Sequence, residues 1–72
     1  MALIDHSHEE RMTREAAAQR LRDLADELSR HNEVSFLREG MKVTVPVPAE
    51  VLLTLEVEVG DDGSEIEIEI TW

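Results

Sequence analysis

The chain ends in Glu65-Ile66-Glu67-Ile68-Glu69-Ile70-Thr71-Trp72, a strict alternation of polar, mostly carboxylate, and large apolar side chains. Only a β-strand, whose successive side chains point to opposite faces, sorts such a run into one apolar and one charged surface. A helix would spread both kinds around its circumference. The strand therefore belongs to a sheet with one face packed and the other in water, the usual condition of an antiparallel sheet. The same period of two reaches back to Glu33 and defines strands over 33–39, 41–47, 51–59 and 64–72.

The turns between these runs set the register. Glu39-Gly40 as a two-residue hairpin puts Phe36 opposite Val43 and Val34 opposite Val45. Gly60-Asp61-Asp62-Gly63 as a four-residue loop puts Val57 opposite Ile66, Leu55 opposite Ile68 and Leu53 opposite Ile70. Closing the middle connection in the same way sets Val45 opposite Leu53, Val43 opposite Leu55 and Lys42 opposite Glu56. The expected product is one continuous apolar face, made of Val34, Phe36, Met41, Val43, Val45, Leu53, Leu55, Val57, Ile66, Ile68, Ile70 and Trp72.

Residues 13–31 carry a different period. Ala17, Leu21, Leu24, Leu28 and His31 recur at helical spacing on one face. Thr13 is suited to the N-cap, Glu15 lies in the first turn, and Arg30 and His31 complement the negative end of the helix. Asn32 follows, a residue that tolerates a left-handed C-terminal backbone. The helix is the natural cover of the sheet, and its length of about 27 Å matches that of the strands. One cylinder about 10 Å wide nevertheless cannot shield four strands spaced about 4.8 Å apart.

A chain of 72 residues holds one core at most, and a chain this small buries only about 60% of its unfolded surface. No cysteine is present to form a disulfide or a thiolate zinc site, which makes oligomerisation or bound ions the expected source of added stability. The net charge is −10, and Lys42 is the last basic residue, so everything after it is anionic. Such a surface repels phosphate backbones and anionic lipid, and the expectation is no nucleic-acid and no membrane partner. The amino-terminal residues show neither a basic region nor an apolar run, which fits a cytoplasmic protein. Acidity with arginine as six of the seven basic residues points to a salt-adapted or GC-rich source.

On the polar face, the register sets Glu56 opposite Glu67 and Glu58 opposite Glu65, with Glu69 next along. Opposed like charges destabilise a sheet by roughly 0.2–1 kcal/mol per pair. The ladder reads first as a solvated face tuned to high salt. The alternative is a divalent-cation site, since carboxylate oxygens suit Mg²⁺ and Ca²⁺, but no Ca²⁺-loop motif accompanies it. His6 and His8 share a strand face and form a two-imidazole metal candidate, with Glu10 as a third ligand. No serine lies in a nucleophile-elbow context, and no cofactor and no catalytic residue is expected. Trp72, Leu37, Leu52 and Pro46 are the candidate interface residues, because an aromatic and outward apolar side chains mark contact surfaces. A homodimer follows as the expected state.

The Thr13-Arg14-Glu15-Ala16-Ala17 opening of the helix and the alternating close on Trp72 resemble the amphi-Trp domain family, over nearly the whole chain. Members are small prokaryotic proteins frequent in salt-loving archaea. The resemblance implies a strand before the helix, at 4–11, although Ser7-His8-Glu9-Glu10 also fits a helix capping box. In that segment His6 stands where the family carries an aromatic. The resemblance implies no known activity. The expected fold is α+β, in the order β-α-β-β-β-β: a single domain over 1–72 with one amphipathic helix packed on a four- to five-stranded antiparallel sheet. The expected function is a non-enzymatic interaction module acting as a homodimer, with divalent-cation binding as the alternative.

Overall fold

The computed structural model describes Ile4 and residues 6–72. It is α+β: helix α1 (Arg14–Arg30) precedes strands β1 (Glu33–Arg38), β2 (Met41–Pro46), β3 (Leu52–Val59) and β4 (Ser64–Thr71). The Thr13 hydroxyl caps α1 by accepting a hydrogen bond from the Ala16 N–H at 3.1 Å. At the other end His31 has an extended backbone, and its N–H reaches the Glu27 carbonyl at 2.9 Å. Asn32 does not take the left-handed conformation that it tolerates. Among the described residues Glu39 is the one non-glycine with positive φ. The Asn32 carbonyl instead accepts the Val47 N–H at 2.8 Å.

Both predicted hairpins form in the predicted register. Phe36 faces Val43 and Val34 faces Val45 in one, while Val57 faces Ile66, Leu55 faces Ile68 and Leu53 faces Ile70 in the other. Glu39 and Gly40, at φ of 53° and 77°, make the two-residue turn whose twist suits a hairpin. The middle pairing does not form. β1 and β2 make one two-stranded sheet and β3 and β4 another, in place of a single four-stranded sheet.

The reason lies in backbone hydrogen bonding. In an antiparallel pair each residue points its N–H and C=O to one side, its neighbours point theirs to the other, and side chains alternate in step. A residue's edge and face are therefore locked together. The Val47–Asn32 bond makes Val34–Val45 and Phe36–Val43 the hydrogen-bonded pairs of the first hairpin. The free edge of β2 thus consists of Lys42, Thr44 and Pro46. In the second hairpin the Gly60 N–H donates to the Gly63 carbonyl at 3.0 Å, which makes Glu58–Glu65 and Glu56–Glu67 the bonded pairs. The free edge of β3 thus consists of Leu53, Leu55 and Val57. Setting Val45 opposite Leu53 and Lys42 opposite Glu56 would match the outward-bonding residues of one strand with the inward-bonding residues of the other. The two hairpins cannot share an apolar face by joining β2 to β3 without a bulge.

The amino-terminal segment also differs from expectation. Residues 1–3 and 5 lie outside the described residues, and Ile4 and 6–11 form neither the strand placed at 4–11 nor an added helical turn. Helix and first hairpin are joined by Glu27, whose carboxylate accepts the Ser35 N–H at 3.0 Å. Among the described residues Val47 alone is buried, at the point where β2 leaves its sheet. The helix residues Leu24 and Leu28, with Val34, Phe36, Val43, Val45 and Ile70, are half-buried around it.

Replacing Glu27 with Ala should cost about 1–2 kcal/mol, because it strips a charged acceptor from a backbone N–H. Urea melts of the two proteins measure this. An unchanged midpoint would mean that water replaces the carboxylate without loss.

Candidate functional site

Three features carry chemistry or contact potential: the glutamate ladder, the histidine segment and the apolar surface. The ladder has the expected register, with Glu56 facing Glu67, Glu58 facing Glu65, and Glu69 facing Thr54. The Glu56 carboxyl opposite Glu67, as a hydrogen-bond partner for the protonated form, raises the Glu67 pKa from its ordinary value. The charges of Glu65, Glu56 and Glu69 add to this. Two carboxylates that share a proton are held together by acid, and ionisation drives them apart. Lys42 pairs with Leu37 on β1 and offers the ladder no counter-charge through the sheet.

His6 and His8 border one open cleft together with Arg20 and Phe36, and each has a further contact. His6 stacks on Phe36 with ring centroids 4.5 Å apart and planes 25° from parallel. His8 instead contacts Glu10 at 3.1 Å, and the Arg20 guanidinium donates to the same carboxylate oxygen at 3.3 Å. The hydrogen bond with His8, then the charge of Arg20, lowers the Glu10 pKa. Among the described residues no three of His, Asp and Glu converge as a metal site would require. His6 fills, by stacking, the place where the resemblance implies an aromatic ring.

The apolar surface is the largest feature. Leu21, Leu24 and Leu28 of α1, Val34 and Phe36 of β1, Val45 and Val47, and Ile68, Ile70 and Trp72 at the chain's end line one open cleft of about 340 Å³. The second hairpin meets the rest of the molecule here, through the base of β4. Beyond that base, both of its faces are exposed along their length, including Leu55, Val57 and Ile66 at 66%, 68% and 75%. The interface candidates Trp72, Leu37, Leu52 and Pro46 are all exposed, but they do not form one patch. Leu37 lies on the first hairpin, and Leu52 and Trp72 lie at the base of the second.

Two residues that matter here escape the periodicity. Val47 looked like the last residue of a strand, and its role as the buried pivot depends on the Asn32 contact. Glu27 stands three residues after Leu24, on the same helical stripe, so its spacing carried the signal, but its charge hid it.

The ladder generates two expectations. A carboxyl with a raised folded-state pKa adds stability as pH falls through that pKa toward the ordinary value of about 4.3. In dilute salt the melting temperature should therefore rise as pH is lowered from 7 toward 5, and Glu67→Gln should flatten the rise. Glu10 acts with the opposite sign and in a lower window, so its loss follows below that range. At neutral pH the melting temperature should also climb between dilute and molar KCl as the ladder is screened. A flat or falling trend with salt would refute repulsion as the property of this face.

No helix is long and apolar enough to cross a membrane among the described residues. Comparison with curated proteins and with solved structures gives no match. The model of the Amphi-Trp domain matches residues 3–72. With its acidic alternating last strand, its terminal tryptophan and a match spanning nearly its full length, the chain belongs to the amphi-Trp domain family.

Proposed function

We propose that the chain is a non-enzymatic interaction module that works as a homodimer, in a salt-adapted cytoplasm. The observation that carries this reading is surface area. The chain exposes 6950 Å². A compact monomer of its 8.2 kDa would expose about 4,500 Å². The radius of gyration is 14.1 Å, against about 11 Å for a compact chain of this length. The surplus of about 2,400 Å² per chain, taken from both members of a pair, lies within the range buried by obligate homodimers. On the second hairpin Leu53, Leu55, Val57, Ile66 and Ile68 share one face and are exposed, an apolar patch uncommon on a stable monomer.

The carboxylate ladder supports divalent-cation binding as a second reading. Its register sets Glu56 opposite Glu67 on one face, where the oxygens of both could serve one hard cation. An NMR titration with Ca²⁺, Mg²⁺ and Zn²⁺ separates the readings. Saturable shifts confined to β3 and β4, abolished by Glu67→Gln, would favour the cation.

Light scattering at micromolar protein and about 0.5 M salt, where the Debye length falls below ~5 Å, tests the dimer directly. The expected mass is twice that of the chain. A monomer of 8.2 kDa under those conditions would overturn the proposal.

A further inference from the structure

We infer that the second copy docks on the free edge of β3, strand to identical strand, about a two-fold axis that passes beside Leu55. This rests on the homodimer reading and specifies its contact.

The two hairpins have four edges, and three are closed to pairing. On β1, the Ser35 N–H is already taken by the Glu27 carboxylate of α1. The edge of β2 carries Pro46, which has no N–H to offer, and the charged Lys42, both of which discourage strand addition. Pairing β4 with a second β4 sets glutamate opposite glutamate in every register that uses most of the strand, because Glu65, Glu67 and Glu69 all lie on one face. The edge of β3 has no such device. Leu53, Leu55, Val57 and Val59 turn their N–H and C=O groups outward along it, and their side chains are exposed.

The pairing must also close. Docking β3 of one copy on β4 of another leaves one β3 and one β4 edge free and propagates as a filament. Docking β3 on β2 of another copy meets the same mismatch of edge and face that separates the strands within one chain. Pairing β3 with itself, antiparallel, satisfies both conditions. The outward-bonding residues then face one another, and both apolar faces lie on one side of the sheet.

Charge selects the register. With Leu55 opposite the partner's Leu55, Leu53 faces the partner's Val57, Val51 faces the partner's Val59, and Glu56 faces the partner's Thr54. Glu58 faces the partner's Leu52. Sliding the strands by one step in one direction sets Glu56 against itself. Sliding them the other way sets Glu58 against Glu50. The central register alone pairs Val51 to Val59 throughout with no carboxylates opposed.

The result is a four-stranded sheet, β4-β3-β3-β4. Ile68 and Ile70 toward the base of β4 border the open cleft, whereas Val57, Val59 and Ile66 at the tip are exposed. Antiparallel pairing lays each exposed tip beside the partner's Val51 and the partner's Leu53, so that apolar side chains of both copies meet on one face.

Single-cysteine variants of this cysteine-free chain test the contact. Opposed residues in a bonded antiparallel pair lie about 5.5 Å apart at Cα, within disulfide reach. Under mild oxidation in about 0.5 M salt, Leu55→Cys should become a covalent dimer. Leu53→Cys and Val57→Cys should each remain uncrosslinked alone, since their like positions are displaced by about 13 Å. Mixed together, they should crosslink to each other. The mixture keeps the test decisive if Leu55→Cys fails to fold. A dimer by light scattering without this pattern refutes the β3 contact and leaves the homodimer reading intact. A monomer by light scattering refutes both.

Discussion

A strand cannot choose its bonding edge and its exposed face independently, and that coupling organises the whole molecule. In the first hairpin the apolar residues form the bonded pairs, whereas in the second the glutamates do. The two hairpins are therefore of opposite geometric sense when viewed from their apolar sides. They cannot merge edge to edge in antiparallel fashion with those sides aligned. One becomes the partner of the helix, and the other meets the rest through the base of β4. From this division come the excess surface, the open cleft and the single buried valine.

Within the first unit, polar contacts at the edges carry much of the order. Thr13 starts the helix, Glu27 ties it to β1, and Asn32 draws in Val47. Each bond satisfies a backbone N–H that would otherwise depend on water. The apolar contribution is small because so few side chains leave solvent, as expected of a chain near the lower size limit for an independent core. The stacking of His6 on Phe36 extends the same economy to the amino-terminal segment, using an exposed ring to cover another.

Periodicity made the helix, the four strands and both hairpin registers legible, because each depends on residues close in sequence. The Glu56–Glu67 and Glu58–Glu65 oppositions followed from turn length alone. The middle connection is not legible in the same way, because apolar matching leaves bond direction open. Val45 opposite Leu53 satisfies the first condition and violates the second. The segment around His6 and His8 is illegible for another reason: its weak alternation is compatible with a strand, but the partners that place it, Phe36 for His6 and Arg20 for Glu10, come from elements distant in sequence. The candidate site was legible as a surface, with one face carboxylate and one apolar. Its division between two hairpins was not, since that is a property of the backbone.

The second hairpin borders the rest of the molecule at one end, where Ile68, Ile70 and Trp72 line the open cleft, and is joined to the first through the short segment from Val47 to Leu52. In mechanical terms it is a cantilever. Its strands are about 26 Å long, so a rotation of about 10° at that end sweeps the tip through about 4–5 Å, close to the spacing of neighbouring strands. Asp61 and Asp62 stand at the end of that arm, where their displacement is greatest. A small rotation at the cleft end is thereby amplified into a change of one strand's width in the position of two negative charges.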